Sequence, residues 1–401
     1  MKILITTDWY TPVVNGVVTS VRNLRRELLL RGHDVRILTL SQSTRSFTED
    51  GVTYIGSVGA GRIYPGARLK AALASSYLQE ILEWGPDIIH SQCEFSTFLL
   101  AKKIAKRRNI PIIHTYHTVY EDYTHYFSPN QKWGRRMAAS FSRWVLHQSA
   151  CVIAPTEKVR AILEGYGIDR EIRVIPTGLD LRSFTKVPAP EKLLSLRHSL
   201  GISERSFILL SVGRLAREKN LEEILTFFSK LPQESDLTLL LVGDGPYREA
   251  LEQTAEELGI GRRVVFSGMV PPDSVADYYH LGDLFVSASG SETQGLTYLE
   301  ALASGLPALC HRDDCLHQVI RNGQNGWQYE TEEEFFDRLR LYTGSAALRK
   351  TLSQNAAEIA GREFSSAVFA ENVEAAYKAV LNRTTAAQTQ PYREDLSCRE
   401  A

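Results

Sequence analysis

Short apolar runs alternate along the chain with longer segments in which apolar residues recur at helical spacing. In the first half the apolar runs are KILITT, DVRILTL, VTYI, PDIIHS, PIIHTYH, CVIAP and IRVIP. Helical spacing lies between them, for example over residues 17–31, 67–84 and 96–108. Strands and helices that alternate in this way are typical of a parallel sheet covered by helices. The first half is therefore predicted to be a doubly wound α/β domain.

The same alternation begins again in the second half. Strands are predicted at FILLSVG, LTLLLVG, RVVFSG, DLFVSA and LPALC, with helices over residues 221–231, 247–258, 275–281 and 296–304. Residues 176–190, PTGLDLRSFTKVPAP, have the Pro, Gly and Asp content of a connection between domains. We therefore predict domains at 1–176 and 191–364, with ligand sites at the carboxyl ends of their strands and hence in the cleft between them.

Helices are predicted to continue to the end of the ordered chain. Three of them are expected from residue 331 to about residue 382, and those near 365–382 are free to pack back on the first domain. The last stretch, residues 383–401, is polar and is predicted to be a disordered tail.

Composition narrows the class of protein. The chain of 401 residues is 43% apolar and 23% charged, as in soluble globular proteins. It contains no run of 18 apolar residues and no secretory signal, so we expect a cytosolic protein. Its five cysteines form no CxxC pair, which argues against a disulfide framework.

The net charge of -1 hides an asymmetry between the halves. Residues 1–176 carry 23 Lys+Arg against 15 Asp+Glu, or +8, and the remainder carries 23 against 32, or -9. The basic half is expected to be drawn to an anionic surface or acceptor.

Two loops could bind phosphate. The first strand is joined to its helix by a turn with Asn15 and Gly16, where a glycine would let backbone amides approach a phosphate. In the second half SVGRLAREKN supplies Gly213, Arg214 and Lys219 at the end of a strand, and two cations there suit a diphosphate. An ordinary strand–helix turn and a solvated helix face remain the alternatives.

Histidines cluster in HTYHTVYEDYTHY, which contains His114, His117 and His125. Polar groups on an aromatic wall are expected to line a binding cleft. No Cys or Glu completes a known zinc pattern there, and CHRDDCLH resembles a ligand cluster only loosely, so we predict a post-strand loop rather than a metal site.

Residues 128–149, SPNQKWGRRMAASFSRWVLHQS, combine cations with large apolar residues at helical spacing. Basic helices that carry Trp often lie in a membrane interface. The basic charge of this half favours that interpretation, whereas a buried helix with a solvated basic side and a site for single-stranded nucleic acid remain the alternatives. The residues predicted to contact the membrane are Lys132, Trp133, Arg135, Arg136, Arg143 and Trp144.

Two glutamates flank one strand-to-helix junction, ETQGLTYLE. Glu292 is predicted in the loop and Glu300 on the helix, with Gly295 between them. The first helical amides, near Leu296 and Thr297, are available to an anion, and ionised carboxylates suit pairs of hydroxyls. The alternative is that Glu292 is a helix-leading acid and Glu300 pairs with a surface cation.

Taken together, these motifs resemble those of a known family. ETQGLTYLE matches the E-x7-E signature of retaining nucleotide-sugar glycosyltransferases of family 4, and NGVVTS, HTYHT, VGRLAREKN, VGDGPYREAL, FSGMV and NGW follow in the family's order over residues 1–380. TTDWYTPVVNGV, HTYHTVYEDYTHY and SETQGLTYLEALASG are similar to bacterial diacylglycerol glucosyltransferases. The resemblance implies an α/β protein of the GT-B fold, two facing Rossmann-like domains, which transfers α-glucose from UDP-glucose to membrane diacylglycerol.

The resemblance also implies roles for individual residues. Glu300 would hold the ribose, and Arg214 and Lys219 would neutralise the diphosphate. Glu292 and the amides of Thr293, Gln294, Gly295, Leu296 and Thr297 would bind the sugar and β-phosphate. Gly16 would let the first loop close on the diphosphate, His117 would bind near the reacting end of the sugar, and Met269 and Val270 would meet the base.

Two departures from the family pattern stand out. Asn15 precedes Gly16 where many members have paired glycines, and HRDDC replaces a Gly-Gly pair after the fifth strand of the second half. The second departure leaves open what closes the far side of the sugar pocket.

The expected reaction is glycosyl transfer with retention and without a cofactor or metal. The sequence contains no DxD triplet, so Arg214, Lys219 and the helix amides would stabilise the departing charge. The expected partners are a nucleotide sugar, a diacylglycerol-type lipid and an anionic membrane surface on the cytoplasmic side, and no nucleic acid. UDP-galactose as donor, a monoglycosyl lipid or soluble acceptor, and a non-catalytic sugar-nucleotide sensor are the alternatives.

Overall fold

A computed structural model describes residues 1–13, 15–60, 68–70, 75–119, 131–290, 292 and 294–389. Contacts divide the chain into two compact units. Unit 1 consists of Met1–Pro155, Arg160–Ile175 and the described residues from Ala370 onward. Unit 2 consists of Thr156–Val159 and Pro176–Phe369.

Unit 1 is built on an eight-stranded sheet in the order β10-β9-β8-β7-β1-β2-β4-β3, parallel except for β3. The strands of unit 1 are β1 (Lys2–Thr6), β2 (Asp34–Leu40), β3 (Phe47–Glu49), β4 (Val52–Ile55), β5 (Ser57–Gly59), β6 (Arg68–Lys70), β7 (Ile88–Ser91), β8 (Ile112–Thr115), β9 (Cys151–Ala154) and β10 (Ile172–Val174). The central strands β7, β8 and β9 are buried at every position, which explains their nearly continuous apolar runs.

The chain changes direction in this sheet at β1, which pairs with β2 on one side and β7 on the other. In open parallel sheets ligands bind beyond the carboxyl ends of strands at such a switch point. The loops that follow β1 and β7 are therefore the places in unit 1 to examine for a site.

Helices cover both faces of the sheet. They are α1 (Gly16–Leu30), α2 (Ser75–Trp84), α3 (Ser96–Arg108), α4 (Gln131–Leu146) and α5 (Glu157–Gly165). The predicted helix over 67–84 is wrong at its start, because β6 occupies 68–70 and pairs antiparallel with β5. Arg68 stabilises this ribbon by donating to the Ser57 hydroxyl and the Ser41 carbonyl, contacts that local spacing does not reveal.

Unit 2 contains a six-stranded parallel sheet in the order β13-β12-β11-β14-β15-β16. Its strands are β11 (Phe207–Val212), β12 (Leu237–Val242), β13 (Val264–Gly268), β14 (Leu284–Ser287), β15 (Ala308–His311) and β16 (Gly326–Tyr329). Its switch point lies between β11 and β14. The loops after these two strands carry Arg214, Lys219 and Glu292.

The helices of unit 2 pack apolar clusters on both faces of this sheet. They are α6 (Arg182–Thr185), α7 (Pro190–Ser199), α8 (Leu221–Ser229), α9 (Arg248–Glu257), α10 (Val275–Leu281), α11 (Leu296–Ala303), α12 (Glu332–Gly344) and α13 (Ala346–Glu363). The segment 176–190, predicted as a connection, contains the short helix α6 and the first residue of α7.

The last described helix, α14 (Ser366–Thr389), passes from unit 2 to unit 1 at Ala370. It extends beyond the predicted start of the tail at residue 383, because each added residue of a formed helix gains one more backbone hydrogen bond. Residues 390–401 of that predicted tail lie outside the described residues.

Candidate active site

The junction between β14 and α11 places the first turn of a helix directly after the loop that carries Glu292. Gly295 precedes α11 with φ +73°, and no described side chain caps this end of the helix. A Cβ on Gly295 would lie 2.7 Å from Tyr298 Cδ2, so both the backbone conformation and the available space require glycine. The first-turn amides, those of Leu296 and Thr297, have no carbonyl four residues earlier within the helix, and they favour an anion.

Glu292 lies before this helix, in the loop as predicted, and it contacts the loop that follows β11. Its Oε1 accepts a hydrogen bond from Lys219 Nζ at 2.6 Å, and both side chains are partly buried. One acid and one cation from the loops after the two strands of the switch point therefore meet.

Glu300 lies on α11, and its Oε2 accepts a hydrogen bond from the Tyr279 hydroxyl at 2.7 Å. Burial raises the pKa of Glu300 to about 7, an effect that the Tyr279 hydrogen bond partly offsets. The predicted alternative, a pair with a surface cation, is wrong, because its partner among the described residues is a buried tyrosine.

Arg214 is exposed and forms an ion pair with Glu218. Its loop packs closely on the next one, since a Cβ on Gly243 would lie 2.0 Å from the Gly213 carbonyl oxygen. The two loops can approach this closely only because position 243 is a glycine. Two cations of SVGRLAREKN thus have acidic partners, Glu218 for Arg214 and Glu292 for Lys219.

The remaining predicted residues of unit 2 occupy different environments. Met269 is 77% exposed just beyond β13, and Val270 packs against the core. The Gln294 side chain accepts from Thr177 N and donates to Thr177 O, each at 2.8 Å, so it anchors the interdomain segment and leaves only its backbone for a ligand. Thr293 lies outside the described residues.

The HRDDC segment contains a hydrogen bond between two of its own residues. Asp313 is buried, and its Oδ1 accepts from the Cys315 amide at 2.9 Å, which begins a short helical turn. The two cysteines of CHRDDCLH are buried free thiols, and burial raises their pKa values. Among the described residues no group of three or more His, Cys, Asp or Glu is arranged to hold a metal ion.

In unit 1, Gly16 is the first residue of α1. Asn15, which departs from the pattern that the resemblance implies, caps the helix: its Oδ1 accepts from the Val18 amide at 2.9 Å. Asparagine is among the best residues for this position, so the departure from the family pattern has a structural reason.

His117 belongs to a chain of hydrogen bonds at the carboxyl ends of β7 and β8. Its Nε2 lies 2.6 Å from Gln92 Oε1, and Gln92 Nε2 lies 3.0 Å from His90 Nε2. His90 in turn contacts Thr115 Oγ1 at 2.7 Å and the Tyr377 hydroxyl at 2.6 Å. Burial lowers the pKa of His117 to about 4 and that of His90 well below its usual range, so both rings are neutral.

Acidic groups lie beside this chain. His114 Nε2 is 3.3 Å from the buried Glu94, and Asp8 accepts from the Thr97 amide at 2.8 Å. Burial raises the pKa of Asp8 to about 6. His125 lies outside the described residues.

Sequence reasoning missed Gln92, His90, Glu94 and Asp8. A usable signal was present, because HSQCE and TTD are polar runs directly at the ends of the two strands that meet at the switch point. Tyr377 had no such signal, since it lies 287 positions from His90.

Helix α4 carries the residues predicted to contact a membrane, and all six are exposed. Trp133 is 61% exposed, and Met137 and Trp144 are also among the exposed large apolar residues. The large apolar residues at helical spacing on this helix differ in exposure. Val145 is buried, as is Ala138, whereas the two tryptophans are exposed. No described helix is both long and apolar enough to cross a membrane.

Comparison with known proteins places this geometry in a family. "Glycosyltransferase Family 4" matches residues 14–183, and "Glycosyl transferases group 1" matches residues 195–359. The chain is 39% identical to alpha-monoglucosyldiacylglycerol synthase of Streptococcus pneumoniae, over 92% of this chain and 84% of that protein. It is 31% identical to the protein of the same name from Acholeplasma laidlawii, over 96% and 98% of the two chains.

The solved structure of sucrose-phosphate synthase from Thermosynechococcus elongatus has a similar fold, with a TM-score of 0.75 at 21% identity over 95% of this chain and 99% of that one. The predicted fold class, two Rossmann-like α/β domains of the GT-B type, is confirmed. The chain belongs to glycosyltransferase family 4 and is a nucleotide-sugar-dependent glycosyltransferase of the GT-B fold.

Proposed function

We propose that the protein transfers α-glucose from UDP-glucose to diacylglycerol at a membrane surface, with retention of the anomeric configuration. Two relatives that match most of the chain are named for the product of such a transfer. The contact that carries the proposal is the one between Lys219 and Glu292, because it joins the loops after β11 and β14 at the switch point of unit 2.

The donor is proposed to bind around this contact. Its diphosphate lies against the amides of Leu296 and Thr297, where the start of α11 favours negative charge. Lys219 and Arg214 add positive charge, Glu300 accepts from the ribose hydroxyls, and Met269 and Val270 flank the base. Glu292 binds hydroxyls of the sugar.

In the proposed reaction the bond between the anomeric carbon and the β-phosphate breaks, and the bond to the acceptor oxygen forms on the same face of the sugar. The proton of the acceptor hydroxyl passes to an oxygen of the departing phosphate. Lys219, Arg214 and the α11 amides stabilise the charge that develops on the leaving diphosphate. Both glutamates act by binding hydroxyls, and the proposal assigns no role to a metal ion.

The acceptor is proposed to come from a membrane to which α4 binds. Trp133, Met137 and Trp144 are exposed on this helix, and Leu99 is exposed on the neighbouring α3. The ring of Trp144 lies 4.8 Å from Lys102 Nζ, so cations and aromatic rings from both helices share this surface. Exposed tryptophans among cations suit the interface of an anionic bilayer. We therefore propose a peripheral location on the cytoplasmic face of the membrane.

Charge substitutions test the membrane surface. Changing Arg135, Arg136 and Arg143 to Ser is expected to reduce binding to anionic vesicles by up to about 3 kcal/mol, at ~1 kcal/mol for each cation. A matched control changes Arg205, Arg262 and Lys350, three exposed cations of unit 2, to Ser. Equal loss of vesicle binding in both triple variants would return α4 to a structural role.

Turnover tests the function itself. UDP release from UDP-glucose is measured with vesicles that contain diacylglycerol and with the same vesicles without it, and UDP-galactose serves as the second donor. Strong stimulation by diacylglycerol with UDP-glucose supports the proposal. Faster turnover of UDP-galactose would change the donor, and turnover that ignores the lipid would move the acceptor to a soluble sugar or a glycosylated lipid.

A further inference from the structure

The family resemblance implies a place for His117 near the reacting end of the sugar, but it gives no role to the hydrogen-bond chain behind that histidine. From His117 the chain runs through the Gln92 amide to His90, and from there to Tyr377 on α14. Gln92 is 1% exposed, and His90 and Tyr377 are completely buried. Buried polar groups cost free energy unless they are bonded, and these three bond one another in a single geometry.

Gln92 can satisfy both neighbours because its amide has an acceptor at one end and donors at the other. The two contacts have different lengths, 2.6 Å from Oε1 to His117 and 3.0 Å from Nε2 to His90. Contacts between two nitrogens are the longer kind, so the lengths agree with the oxygen facing His117 and the nitrogen facing His90.

This orientation determines where each ring carries its proton. Gln92 Oε1 can only accept, so His117 is protonated at Nε2, and the neutral ring leaves Nδ1 as an acceptor. Gln92 Nε2 donates to His90 Nε2, so the single proton of His90 is on Nδ1 and is donated to the Tyr377 hydroxyl oxygen. The Thr115 hydroxyl oxygen lies 2.7 Å from the same His90 nitrogen, so in this arrangement its hydroxyl shares the single lone pair of Nε2 with the Gln92 amide.

If the hydrogen bonds ran in the opposite direction, donor and acceptor would change places in every bond from His117 to Tyr377. Tyr377 would then donate to His90, the amide of Gln92 would be turned over, and His117 would carry its proton on Nδ1. The protonation form of His117 that a substrate would meet is therefore coupled to the Tyr377 hydroxyl on α14.

We propose that Gln92, His90 and Tyr377 are positioning residues that hold His117 in the Nε2-protonated form, so that Nδ1 accepts a hydrogen bond from a hydroxyl of the transferred sugar. The sugar contact rests on the proposed function. The protonation form of His117 is a property of the free protein and can be measured without substrate.

The first experiment is ¹⁵N NMR of the full-length protein with labelled histidine, with the His117 signals assigned from a His117→Asn variant. The expected spectrum shows His117 protonated at Nε2 and unprotonated at Nδ1. In Gln92→Met, which keeps the length of the side chain but not its amide, and in Tyr377→Phe, the signals are expected to shift towards a mixture of the two forms. A wild-type ring protonated at Nδ1, or spectra of His117 unchanged in both variants, would overturn the inference.

The second experiment compares two identical substitutions in kinetics. Tyr377→Phe removes a hydroxyl from the chain, and Tyr342→Phe removes one from an equally buried tyrosine in unit 2, which donates to the Asp283 carbonyl at 2.9 Å. We expect kcat to fall about tenfold in Tyr377→Phe and to stay within about twofold in Tyr342→Phe, with the KM for the nucleotide sugar unchanged in both.

Equal values of kcat in the two variants would reduce Tyr377 to a structural residue and contradict the inference. Failure of the wild type to turn over UDP-glucose would instead contradict the proposed function, and the NMR result would still decide the form of His117.

Discussion

The polar groups at the switch points of the two units of this glycosyltransferase differ in burial and in charge. In unit 1 the groups behind His117 are buried and linked by hydrogen bonds, and their histidines are neutral. In unit 2 Arg214 is exposed and Lys219 is partly buried, and both are paired with an acid, Arg214 with Glu218 and Lys219 with Glu292.

The difference agrees with what each site is proposed to bind. A diphosphate carries charge, and it can replace the acidic partners of exposed cations at small cost because such pairs contribute little in water. A buried charge without a partner would be expensive in unit 1, and neutral rings avoid that cost. The cations of unit 2 are thus suited to exchange an acidic side chain for a phosphate. The hydrogen-bonded groups of unit 1 are suited to keep a single arrangement.

The largest effect on donor binding is expected from Gly295→Ala. The new Cβ would lie 2.7 Å from the Tyr298 ring at φ +73°, so the first turn of α11 must move and its amides lose their alignment. We expect UDP affinity, measured by calorimetry, to fall by more than about 100-fold, because two charge-assisted hydrogen bonds of ~1.5 to 3 kcal/mol each are lost with the aligned amides.

The control for this variant is Gly323→Ala. Gly323 has the same φ of +73°, but a Cβ there would meet nothing within 4 Å. Backbone strain is therefore matched, and UDP affinity is expected to stay within about twofold of wild type. Similar affinities in the two variants would show that the start of α11 does not bind the donor.

Glu300→Ala is expected to weaken UDP binding by ~1.5 to 3 kcal/mol, the value of charge-assisted hydrogen bonds to the ribose. The folded pKa of Glu300 is raised to about 7, and only the ionised form accepts from both hydroxyls. The ratio of wild-type to Glu300→Gln affinity should therefore rise between pH 6 and pH 8. A constant ratio over that range would contradict the assignment of the ribose to Glu300.

Lys219→Met is expected to weaken binding of UDP by about tenfold, near ~1.4 kcal/mol, and to leave binding of uridine unchanged. The effect is limited because the wild-type lysine must first leave Glu292, its partner at 2.6 Å. Parallel calorimetry with UDP and uridine checks this expectation, and equal weakening of both ligands would place Lys219 away from the diphosphate.

The smallest effect is expected on stability, in unit 1. The Lys378 ammonium on the same helix, followed by the Arg31 guanidinium, lowers the pKa of Glu374 to about 2, and the Arg31 contact joins α14 to the end of α1. Because the folded pKa lies below the usual 4.5, the stabilisation is present above about pH 4.5 and is lost as the pH falls towards 2.

Glu374→Gln is accordingly expected to cost about 1 kcal/mol at pH 7, the upper range for exposed ion pairs. The difference in Tm between wild type and variant should shrink as the pH falls from 5 to 3. A difference that is constant over this range would assign the effect to packing rather than charge.

The sequence was sufficient to predict the elements with strong local patterns. The buried strands and α11 lie where their apolar runs and the Gly295 signal place them. The ribbon of β5 and β6 was missed because its pairing depends on Arg68 contacts with distant carbonyls. Local propensity cannot report contacts that only the folded chain brings together.

The candidate site shows the same limit. The sequence motifs identify Glu292, Glu300 and Lys219 as candidates. They do not reveal that Lys219 pairs with Glu292, because the two residues are 73 positions apart. The spacing of apolar residues did not predict that Trp133 and Trp144 are exposed, because the same spacing is found in helices that bury their apolar side.

The measurement that tests the account most directly is proton NMR of the lipid formed from UDP-glucose and diacylglycerol vesicles. The account predicts a single glucosyl diacylglycerol whose anomeric proton has the small coupling of an α-linkage. A β-linked product would contradict retention, and the absence of glucosylated lipid despite release of UDP would contradict diacylglycerol as the acceptor.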